Sequence, residues 1–262
     1  MEAKQVMNNT LTADKVVGMT VNVEQLTLQY NDAEHPLFKQ LDVTLPAGKW
    51  TCLLGKSGCG KTTLLRHLAG LLEDNVTWHG RITSSNALPL DGNLAYMAQQ
   101  DLLLPWLNVV DNVCLSTRFG SSKKADKQKA AVLLEAVGLA DKSDAMPSQL
   151  SGGMRQRVAL ARTLMQDKPL VLMDEPFSAL DAVTRHKLQS LSATLLAGKT
   201  VLLITHDPQE ALRLGHYIYM MTGSPASIKP LPAPSNTPPR QFDGEIASLQ
   251  QGIINELESD YV

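Results

Sequence analysis

The sequence predicts an α/β fold with a mainly parallel sheet, an antiparallel β subdomain near the N-terminus and an inserted helical subdomain. A glycine-rich loop at 55–62 lies between an apolar run and a leucine-rich helical pattern. Short apolar runs return after Pro169 and alternate with helical segments, which is typical of a parallel sheet covered by helices. Between these regions, residues 99–168 show mainly helical periodicity, so we expect them to form the inserted subdomain.

Composition limits the classes of protein that this chain can belong to. Its 262 residues, 44% of them hydrophobic, suffice for one large domain or for a domain with a subdomain. The net charge of -2 argues against a nucleic-acid-binding protein, and three cysteines do not make a disulfide framework. We expect neither secretion nor membrane spanning, because the N-terminus lacks an apolar signal region and no run of about 18 apolar residues occurs.

The N-terminal part of the chain is predicted to be mostly β-structure. After a flexible lead at 1–18, apolar and polar residues alternate at 26–30 and 41–45, which predicts half-buried antiparallel strands. The apolar run Trp50–Leu54 predicts a buried strand that leads into the glycine-rich loop. The leucines that follow the loop share one helical face, and they are Leu64, Leu65, Leu68, Leu71 and Leu72.

The remaining elements are predicted from short apolar runs and from helical spacing. The apolar runs indicate strands at 76–82, 94–97, 170–173, 200–204 and 217–221. Helical spacing indicates a helix at 130–137, and the basic stretch from Lys123 to Lys129 is interpreted as a solvated helix face. Six prolines at 224–239 predict an extended connector, and 245–257 has the pattern of an amphipathic helix.

The glycine-rich loop has the G-x-x-x-x-G-K-T spacing of a phosphate-binding loop, which indicates a P-loop NTPase core. Its backbone N–H groups can form an anion-binding nest at a helix N-terminus. We expect Lys61 to reach the β- and γ-phosphates of ATP and the Thr62 hydroxyl to ligate Mg²⁺. An ordinary glycine-rich turn is the alternative, and Cys59 is interpreted as a filler rather than a nucleophile. The nucleotide contacts are predicted at Gly55, Lys56, Ser57, Gly58, Cys59, Gly60, Lys61, Thr62 and Thr63.

Two carboxylates, Asp174 and Glu175, follow the apolar run at 170–173. The carboxyl end of a parallel strand is where ligands bind in open α/β sheets. We expect Asp174 to hold Mg²⁺ and Glu175 to polarise the attacking water. A solvated acidic pair at the start of a loop is the alternative.

A second glycine-rich turn lies at 150–157. Ser151 is at an N-cap position, and apolar residues follow it at helical spacing, namely Met154, Val158, Ala161 and Met165. The Ser151 hydroxyl, the Gly153 N–H and the helix N-terminus would form a second anion site. A phosphate that is already enclosed by 55–62 does not need this second site in the same subunit.

These motifs, in this order, make the chain resemble the ATP-binding cassette (ABC) ATPases over about residues 20–225. Their Walker A loop, signature motif and Walker B pair match 55–63, 150–157 and Asp174 with Glu175. The resemblance implies the boundaries 1–18 for a flexible lead, 19–225 for the ATPase domain and 226–262 for a proline-rich connector with a C-terminal helix.

The resemblance also implies roles for single residues. Tyr30 would stack on adenine, Gln99 would be the Q-loop glutamine that senses Mg²⁺ and the attacking water, and His206 would be the switch histidine. Gln100 is adjacent, and the spacing of six residues to Pro105 favours Gln99. A core role for Tyr30 and a structural role for His206 are the alternatives. The implied catalytic residues are Lys61, Gln99, Glu175 and His206. The implied Mg²⁺ ligands are Thr62, Gln99 and Asp174.

The resemblance further implies a head-to-tail homodimer, in which each ATP lies between the Walker A loop of one subunit and the signature motif of the other. The residues that would act across the dimer are Ser151, Gly152, Gly153, Met154 and the D-loop residue Asp181. Met154 replaces the glutamine common in the family, and Ala98 stands where many members have phenylalanine. Neither departure removes a phosphate contact.

A separate cassette without a membrane segment resembles the ATPase subunits of bacterial importers. The sequence at 102–109 is similar to that of the nitrate, sulfonate, taurine and hydroxymethylpyrimidine subgroup, and the short proline-rich tail favours hydroxymethylpyrimidine. In the family this segment meets transmembrane permease subunits, whereas a place in the subdomain core is the alternative for Trp106 and its leucines. The resemblance implies a periplasmic or lipoprotein solute-binding protein as a further partner, no nucleic acid, and a peripheral location at the cytoplasmic face of the cell membrane.

Two other functional classes remain as alternatives. ABC ATPases of DNA repair or translation usually carry long coiled-coil insertions, zinc motifs or two cassettes, none of which this sequence shows. A P-loop kinase of small molecules would lack the Leu-Ser-Gly-Gly turn at 150–153. Both classes fit the sequence less well than an importer ATPase.

Overall fold

The computed structural model describes residues 17–72, 74–116 and 126–259. Most of the predicted lead (1–16), together with Lys123 and Lys124 of the basic stretch, lies outside these ranges. The strands are β1 (Val21–Tyr30), β2 (Phe38–Leu45), β3 (Trp50–Leu54), β4 (Val76–Ser84), β5 (Leu94–Met97), β6 (Leu170–Asp174), β7 (Thr200–Ile204), β8 (Tyr217–Thr222) and β9 (Ser227–Leu231). The α-helices are α1 (Lys61–Leu68), α2 (Val109–Val113), α3 (Lys127–Ala136), α4 (Gly152–Met165), α5 (Ala182–Leu195), α6 (Pro208–Leu214) and α7 (Gly244–Ser259).

The chain divides into two compact units. The first, here called the sheet unit, consists of Val17–Leu94, Pro169–Glu175 and Gly198–Val262. The second, here called the helical unit, contains Ala95–Lys168 and Pro176–Ala197. The helical unit therefore includes a segment after β6 in addition to the middle block that the sequence pattern indicates.

The N-terminal part of the sheet unit is an antiparallel sheet with the order β2-β1-β4. Val21 of β1 faces Leu45 of β2, and Leu26 faces Leu41. Apolar side chains of β1 are buried in alternation with more exposed polar ones, because successive residues of a strand point to opposite faces. The predicted antiparallel subdomain is confirmed, and β4 is one of its strands.

The larger sheet of this unit contains strands in the order β6-β7-β3-β8-β9. The first four are parallel, whereas β9 pairs antiparallel with β8. Strands β3, β6 and β7 are buried along their whole length, which explains their continuous apolar sequence. Strands β3, β7 and β6 end in register, because Leu53 and Asp174 are both partners of Ile204. The segments that follow these strands therefore begin at one edge of the sheet.

Two sequence-based expectations in this unit were wrong in detail. Helix α1 ends at Leu68 rather than including Leu71 and Leu72, and Leu71 is exposed. Gly70 has a φ of 67°, which ends the helix in the manner of a left-handed C-terminal glycine. The proline-rich stretch at 224–239 is not only a connector, since it contributes strand β9 to the sheet.

The C-terminal segment is held on the sheet unit. Helix α7 packs against α6 and buries Ile246 and Ile253, so the predicted amphipathic helix is confirmed. Arg240 is buried, and its Nη1 donates to the carbonyl oxygens of Leu212 at 2.6 Å and Gly215 at 2.7 Å. The proline-rich segment is thus attached to the C-terminal end of α6.

The helical unit is organised around α4. Helices α2 and α3 both pack against it, and its residues Val158, Ala161 and Met165 are buried, as their helical spacing predicts. Leu133 and Leu134 are buried on α3. No helix within the described ranges has the length and apolar character needed to cross a lipid bilayer.

Candidate functional site

The glycine-rich loop follows β3 and closes tightly because its glycines allow backbone conformations that other residues rarely adopt. Gly55 has a φ of 151°, and a Cβ at this position would lie 2.5 Å from the carbonyl oxygen of Met221. Gly60 has a φ of 106°, and a Cβ there would lie 2.8 Å from the Phe38 ring. The loop therefore has room for a backbone cradle but not for side chains at these two positions.

Lys61 lies inside the loop at the start of α1 and is buried. Its Nζ donates to the carbonyl oxygens of Gly55 and Lys56, each at 2.8 Å. The Sγ of Cys59 lies 3.8 Å from the same ammonium group. A buried ammonium group bonded to carbonyl oxygens, next to a helix N-terminus, makes the loop a site for an anion such as a phosphate. Cys59 is itself buried, as expected of a residue that fills the loop.

Thr62 and Asp174 connect the phosphate loop to the end of β6. The Thr62 hydroxyl donates to Oδ2 of Asp174 at 2.9 Å, and Asp174 is 2% exposed. Burial raises the pKa of Asp174, while the Thr62 hydrogen bond opposes this effect. A nearby cation would favour the ionised form. Mg²⁺ prefers oxygen ligands and usually takes one or two carboxylates together with waters and substrate phosphates, so this hydroxyl–carboxylate pair fits it.

Glu175 follows Asp174 in a left-handed backbone conformation, with a φ of 48°. Its backbone N–H donates to the carbonyl oxygen of Ile204 at 2.9 Å, and its Oε2 lies 3.2 Å from Nδ1 of His206. This conformation is unfavourable for a residue with a side chain, so the hydrogen bond to β7 must help to hold it. The carboxylate and imidazole are brought together because β6 and β7 are neighbouring parallel strands.

Tyr30 lies at the end of β1, and its hydroxyl makes a hydrogen bond of 3.2 Å with the Thr63 hydroxyl. The side chain is half-buried, which does not agree with a purely core role. The aromatic ring therefore lies beside the first turn of α1, where the nucleotide loop ends.

The helical unit carries the second glycine-rich turn. Ser151 is the N-cap of α4, and its hydroxyl accepts from the Met154 N–H at 3.3 Å, so the predicted cap is confirmed. Ser151 and Gly152 are exposed. A Cβ at Gly153 would lie 3.4 Å from the carbonyl oxygen of Ala179. The turn is thus an exposed helix N-terminus of a 14-residue helix, with the ordinary preference of such ends for anions.

The other predicted residues of the helical unit are also at its surface. Asp181 is the N-cap of α5 and accepts from the Thr184 N–H at 3.0 Å. This hydrogen bond lowers the pKa of Asp181. Gln99 and Gln100 are both exposed, so exposure does not distinguish between them as the Q-loop glutamine.

Residues 102–109, here called the contact segment, expose Leu102 and Trp106 and bury Leu103 and Val109. Trp106 is 71% exposed, which excludes the core alternative for this residue, whereas the buried Leu103 agrees with that alternative. The segment is shaped by the buried side chain of Asn112, a residue that the sequence patterns did not identify. An exposed tryptophan on a constrained loop is typical of a surface that contacts another protein.

The predicted site residues therefore fall into two groups, one on each unit. The sheet unit carries the phosphate loop of residues 55–63 together with Tyr30, Asp174, Glu175 and His206. The helical unit carries Gln99, Ser151, Gly152, Gly153, Met154 and Asp181.

Comparison with known proteins identifies relatives over most of the chain. A family model described as ABC transporter matches residues 38–178. A protein of Haemophilus influenzae named "Uncharacterized ABC transporter ATP-binding protein" is 44% identical over 90% of this chain and 98% of its own length. A Pseudomonas syringae pv. syringae protein named "Aliphatic sulfonates import ATP-binding protein SsuB 1" is 39% identical over 93% of this chain and 98% of its own length.

Solved structures of ATP-binding cassettes have the same fold as this chain. The dimeric, ADP- and phosphate-bound post-hydrolysis state of the ATP-binding cassette MJ0796 matches with a TM-score of 0.70 and 28% identity. The match covers 85% of this chain and all of that cassette. A second dimeric structure of the same cassette matches with a TM-score of 0.69.

Proposed function

The chain belongs to the ABC transporter family of ATPases, and we propose that it is the subunit that binds and hydrolyses ATP for a bacterial importer. The observation that carries this proposal is the grouping in the sheet unit of the Lys61 loop, the Thr62–Asp174 pair and the Glu175–His206 pair. These are the groups that phosphoryl transfer to water requires: a phosphate cradle, a metal-binding pair and an oriented carboxylate.

In the proposed reaction the chain positions ATP and the attacking water. The loop N–H groups and Lys61 bind the phosphates, with Lys61 exchanging its carbonyl acceptors for phosphate oxygens. Thr62 and Asp174 would hold Mg²⁺, which supplies positive charge to the phosphates when it is bound. Glu175 orients the attacking water and accepts its proton, and the neighbouring His206 keeps the carboxylate in place. Tyr30 would stack on the adenine, and Gln99 would be the residue that senses Mg²⁺ and the attacking water.

We propose that two copies of the chain complete each site. The exposed turn at Ser151 and Gly152 is a helix N-terminus suited to phosphate, and the phosphate loop of the sheet unit already encloses the phosphates of its own nucleotide. The second turn then serves the nucleotide of the partner copy, with Gly153, Met154 and Asp181 beside it. The dimeric form of the matched cassette supports this arrangement.

The importer assignment rests on the relatives. Several of them are named as aliphatic sulfonate import proteins, which supports the nitrate, sulfonate and taurine alternative. The comparisons give no support to hydroxymethylpyrimidine, the solute that the proline-rich tail favoured. We therefore propose a sulfonate-type organic anion as the solute.

The exposed Trp106 supports a docking role for the contact segment, in which it meets a transmembrane permease. The same proposal includes a solute-binding protein as the third component. It places the chain as a peripheral subunit at the cytoplasmic face of the cell membrane.

Uptake measurements in the native host test the proposal. Deletion of the gene should abolish uptake of a radiolabelled alkanesulfonate, and the wild-type chain should restore it whereas Glu175→Gln should not. Uptake of labelled hydroxymethylpyrimidine, measured in the same strains, should be unchanged by the deletion. If the deletion abolishes pyrimidine uptake and spares sulfonate uptake, the solute assignment is wrong. If neither uptake changes, import of these solutes is not the function.

A further inference from the structure

A single guanidinium group on α4 holds two functionally different stretches of the helical unit. Arg155 Nε donates to Oδ2 of Asp101 at 2.9 Å, and its Nη1 donates to the carbonyl oxygen of Leu150, also at 2.9 Å. Asp101 immediately precedes the contact segment, and Leu150 immediately precedes Ser151. Because the guanidinium is planar and rigid, these two hydrogen bonds fix the position of one stretch relative to the other.

A second arginine of the same helix holds the backbone at this point. Arg162 donates from Nη2 to the carbonyl oxygen of Asp101 at 2.6 Å and from Nη1 to that of Leu102 at 2.8 Å. Residues 155 and 162 are seven apart, so they lie on one face of the helix. The chain is therefore attached to α4 through the Asp101 side chain and through the backbone of Asp101 and Leu102, at the start of the contact segment.

The rest of the contact segment is constrained by Asn112, whose side chain is fully buried. Its Oδ1 accepts from the Leu104 N–H at 2.8 Å, and its Nδ2 donates to the carbonyl oxygen of Leu107 at 2.9 Å. Trp106 lies between these two bonded residues. Since Asn112 belongs to α2 and α2 packs against α4, the exposed tryptophan is connected to α4 through a constrained loop.

The Arg155–Asp101 pair is poorly placed to act mainly as a source of stability. Its side chains are 37% and 27% exposed, and ion pairs with this exposure contribute little to folding stability. Its distinguishing property is geometric. The Arg155 guanidinium bonds both Asp101, just before the contact segment, and Leu150, just before the turn at Ser151, here called the signature turn.

We propose that Arg155 is a positioning residue that couples the contact segment to the signature turn at Ser151. The inference rests on the proposed function, in which the contact segment meets the permease and the turn meets the partner copy's nucleotide. Displacement of Trp106 by the permease shifts Asp101, and Arg155 carries this shift to Leu150 and hence to the turn. Coupling between two sites is reciprocal, so ATP that is held at the turn must also change the environment of Trp106.

Reciprocity gives a test that needs only this chain. The sequence has three tryptophans, of which Trp50 is buried, whereas Trp78 and Trp106 are 46% and 71% exposed. In a Trp78→Phe background, iodide quenching of fluorescence therefore reports mainly on Trp106. Glu175→Gln is added so that ATP-bound dimers accumulate, and dimer formation is followed by light scattering.

Addition of ATP should change the quenching constant of this reference chain. Arg155→Lys should reduce that change by about twofold or more, because weakening the link between two sites reduces the coupling between them. Lysine keeps the charge but cannot hold both acceptors in one plane. Arg213→Lys is the control, because Arg213 lies on α6 in the sheet unit and its Nη1 donates to the carbonyl oxygen of Arg240 instead. Asp101→Asn tests the link from its other end and should also reduce the change.

The outcomes separate the inference from the function on which it rests. If dimers form with ATP and the quenching response is equal in the reference, Arg155→Lys and Asp101→Asn, the coupling role of Arg155 is refuted. The role is also refuted if dimers form and Trp106 does not respond at all. If the reference chain binds ATP without forming dimers, the proposed function fails and the inference fails with it. Thermal unfolding midpoints identify a variant that has lost its fold, in which case the other substitution decides.

Discussion

Glu175 combines an unfavourable backbone conformation with the position that we propose for the catalytic carboxylate. Its φ of 48° costs on the order of 1 kcal/mol or more for a residue with a side chain. The structure holds it through the hydrogen bond to Ile204 and the contact with His206. Strain of this kind at the carboxyl end of a sheet is consistent with a role in catalysis, because it fixes the direction of the carboxylate.

The first prediction concerns this carboxylate. Glu175→Gln should lower ATP turnover on the order of 10²-fold or more, since the amide cannot accept a proton from the attacking water. ATP binding should persist, because the phosphate loop is unchanged. Steady-state ATPase assays and binding of a fluorescent ATP analogue measure the two effects. Glu135→Gln, at an exposed position on α3, is the control. If Glu175→Gln hydrolyses ATP as fast as this control, Glu175 does not have the proposed role.

Single residues differed in how far the sequence could predict them. The Ser151 cap could be predicted because its hydrogen bond spans only three residues. The partnership of Arg155 with Asp101 could not, since these residues lie 54 positions apart and their contact depends on the packing of the helical unit. The left-handed conformation of Glu175 was also missed, because glutamate has no local preference for it.

At the level of elements, the turn before β8 holds the beginning of β3, the strand that leads to the phosphate loop. The Trp50 N–H donates to Nδ1 of His216 at 3.1 Å, and the His216 N–H donates back to the Trp50 carbonyl oxygen at 2.8 Å. Burial, with smaller effects of Lys49 and Arg240, lowers the pKa of His216 from 6.5 to about 4. The neutral imidazole is thus the form that the fold accommodates.

The second prediction follows from this pKa. Between about pH 6.5 and 4 the unfolded chain takes up a proton that the folded His216 resists, so stability is complete above this window and falls as pH decreases through it. Across this window the free energy of unfolding should change less with pH in His216→Asn than in the wild type. The difference should be about 1 kcal/mol, a value that allows for solvent screening. Urea titrations across the window measure it, with the exposed His35→Asn as control. If the free energy of unfolding depends on pH equally in wild type and His216→Asn, the lowered pKa of His216 is contradicted.

The contact segment gives the third prediction. Trp106→Glu should weaken co-purification with the membrane permease about tenfold or more, because interface tryptophans often contribute most of the binding energy. The thermal midpoint should change little, since the side chain is exposed. Phe242→Glu, another exposed aromatic position in the other unit, is the matched control. Undiminished assembly of Trp106→Glu with the permease would show that the segment is not the docking surface.

Elements were predictable where burial determines the sequence. Strands β3, β6 and β7 have continuous apolar sequences because they are buried on both faces. The end of α1 was missed because Leu71 and Leu72 continue the helical spacing after the helix has stopped. Strand β9 was missed because prolines disfavour strands, although an edge position beside β8 tolerates Pro230.

At the level of the whole molecule, the proposed function requires two copies of the chain to share their sites. The chain carries a phosphate loop with its acidic partners on one unit and an exposed signature turn on the other. The sequence predicted both motifs. Their place on different units agrees with the proposal that the signature turn serves the nucleotide of another copy. In the proposed dimer, ATP would contact the second copy only in the closed state, so closure on ATP is the event that we propose is transmitted to a permease.

Mixing two inactive variants tests this shared site most directly. Lys61→Ala disables the phosphate loop and Ser151→Arg disables the signature turn, so each variant alone should be inactive. An equal mixture should recover up to about a quarter of wild-type ATPase activity, because random pairing makes half of the dimers mixed and each mixed dimer has one intact site. Lys61→Ala mixed with Glu175→Gln is the matched control and should recover nothing, since both changes affect the same half of the site.

The predicted result is therefore activity in the first mixture and none in the second, with mixed dimers verified by differently tagged chains. If the first mixture stays as inactive as its components although mixed dimers form, the signature turn does not serve the nucleotide of the partner copy.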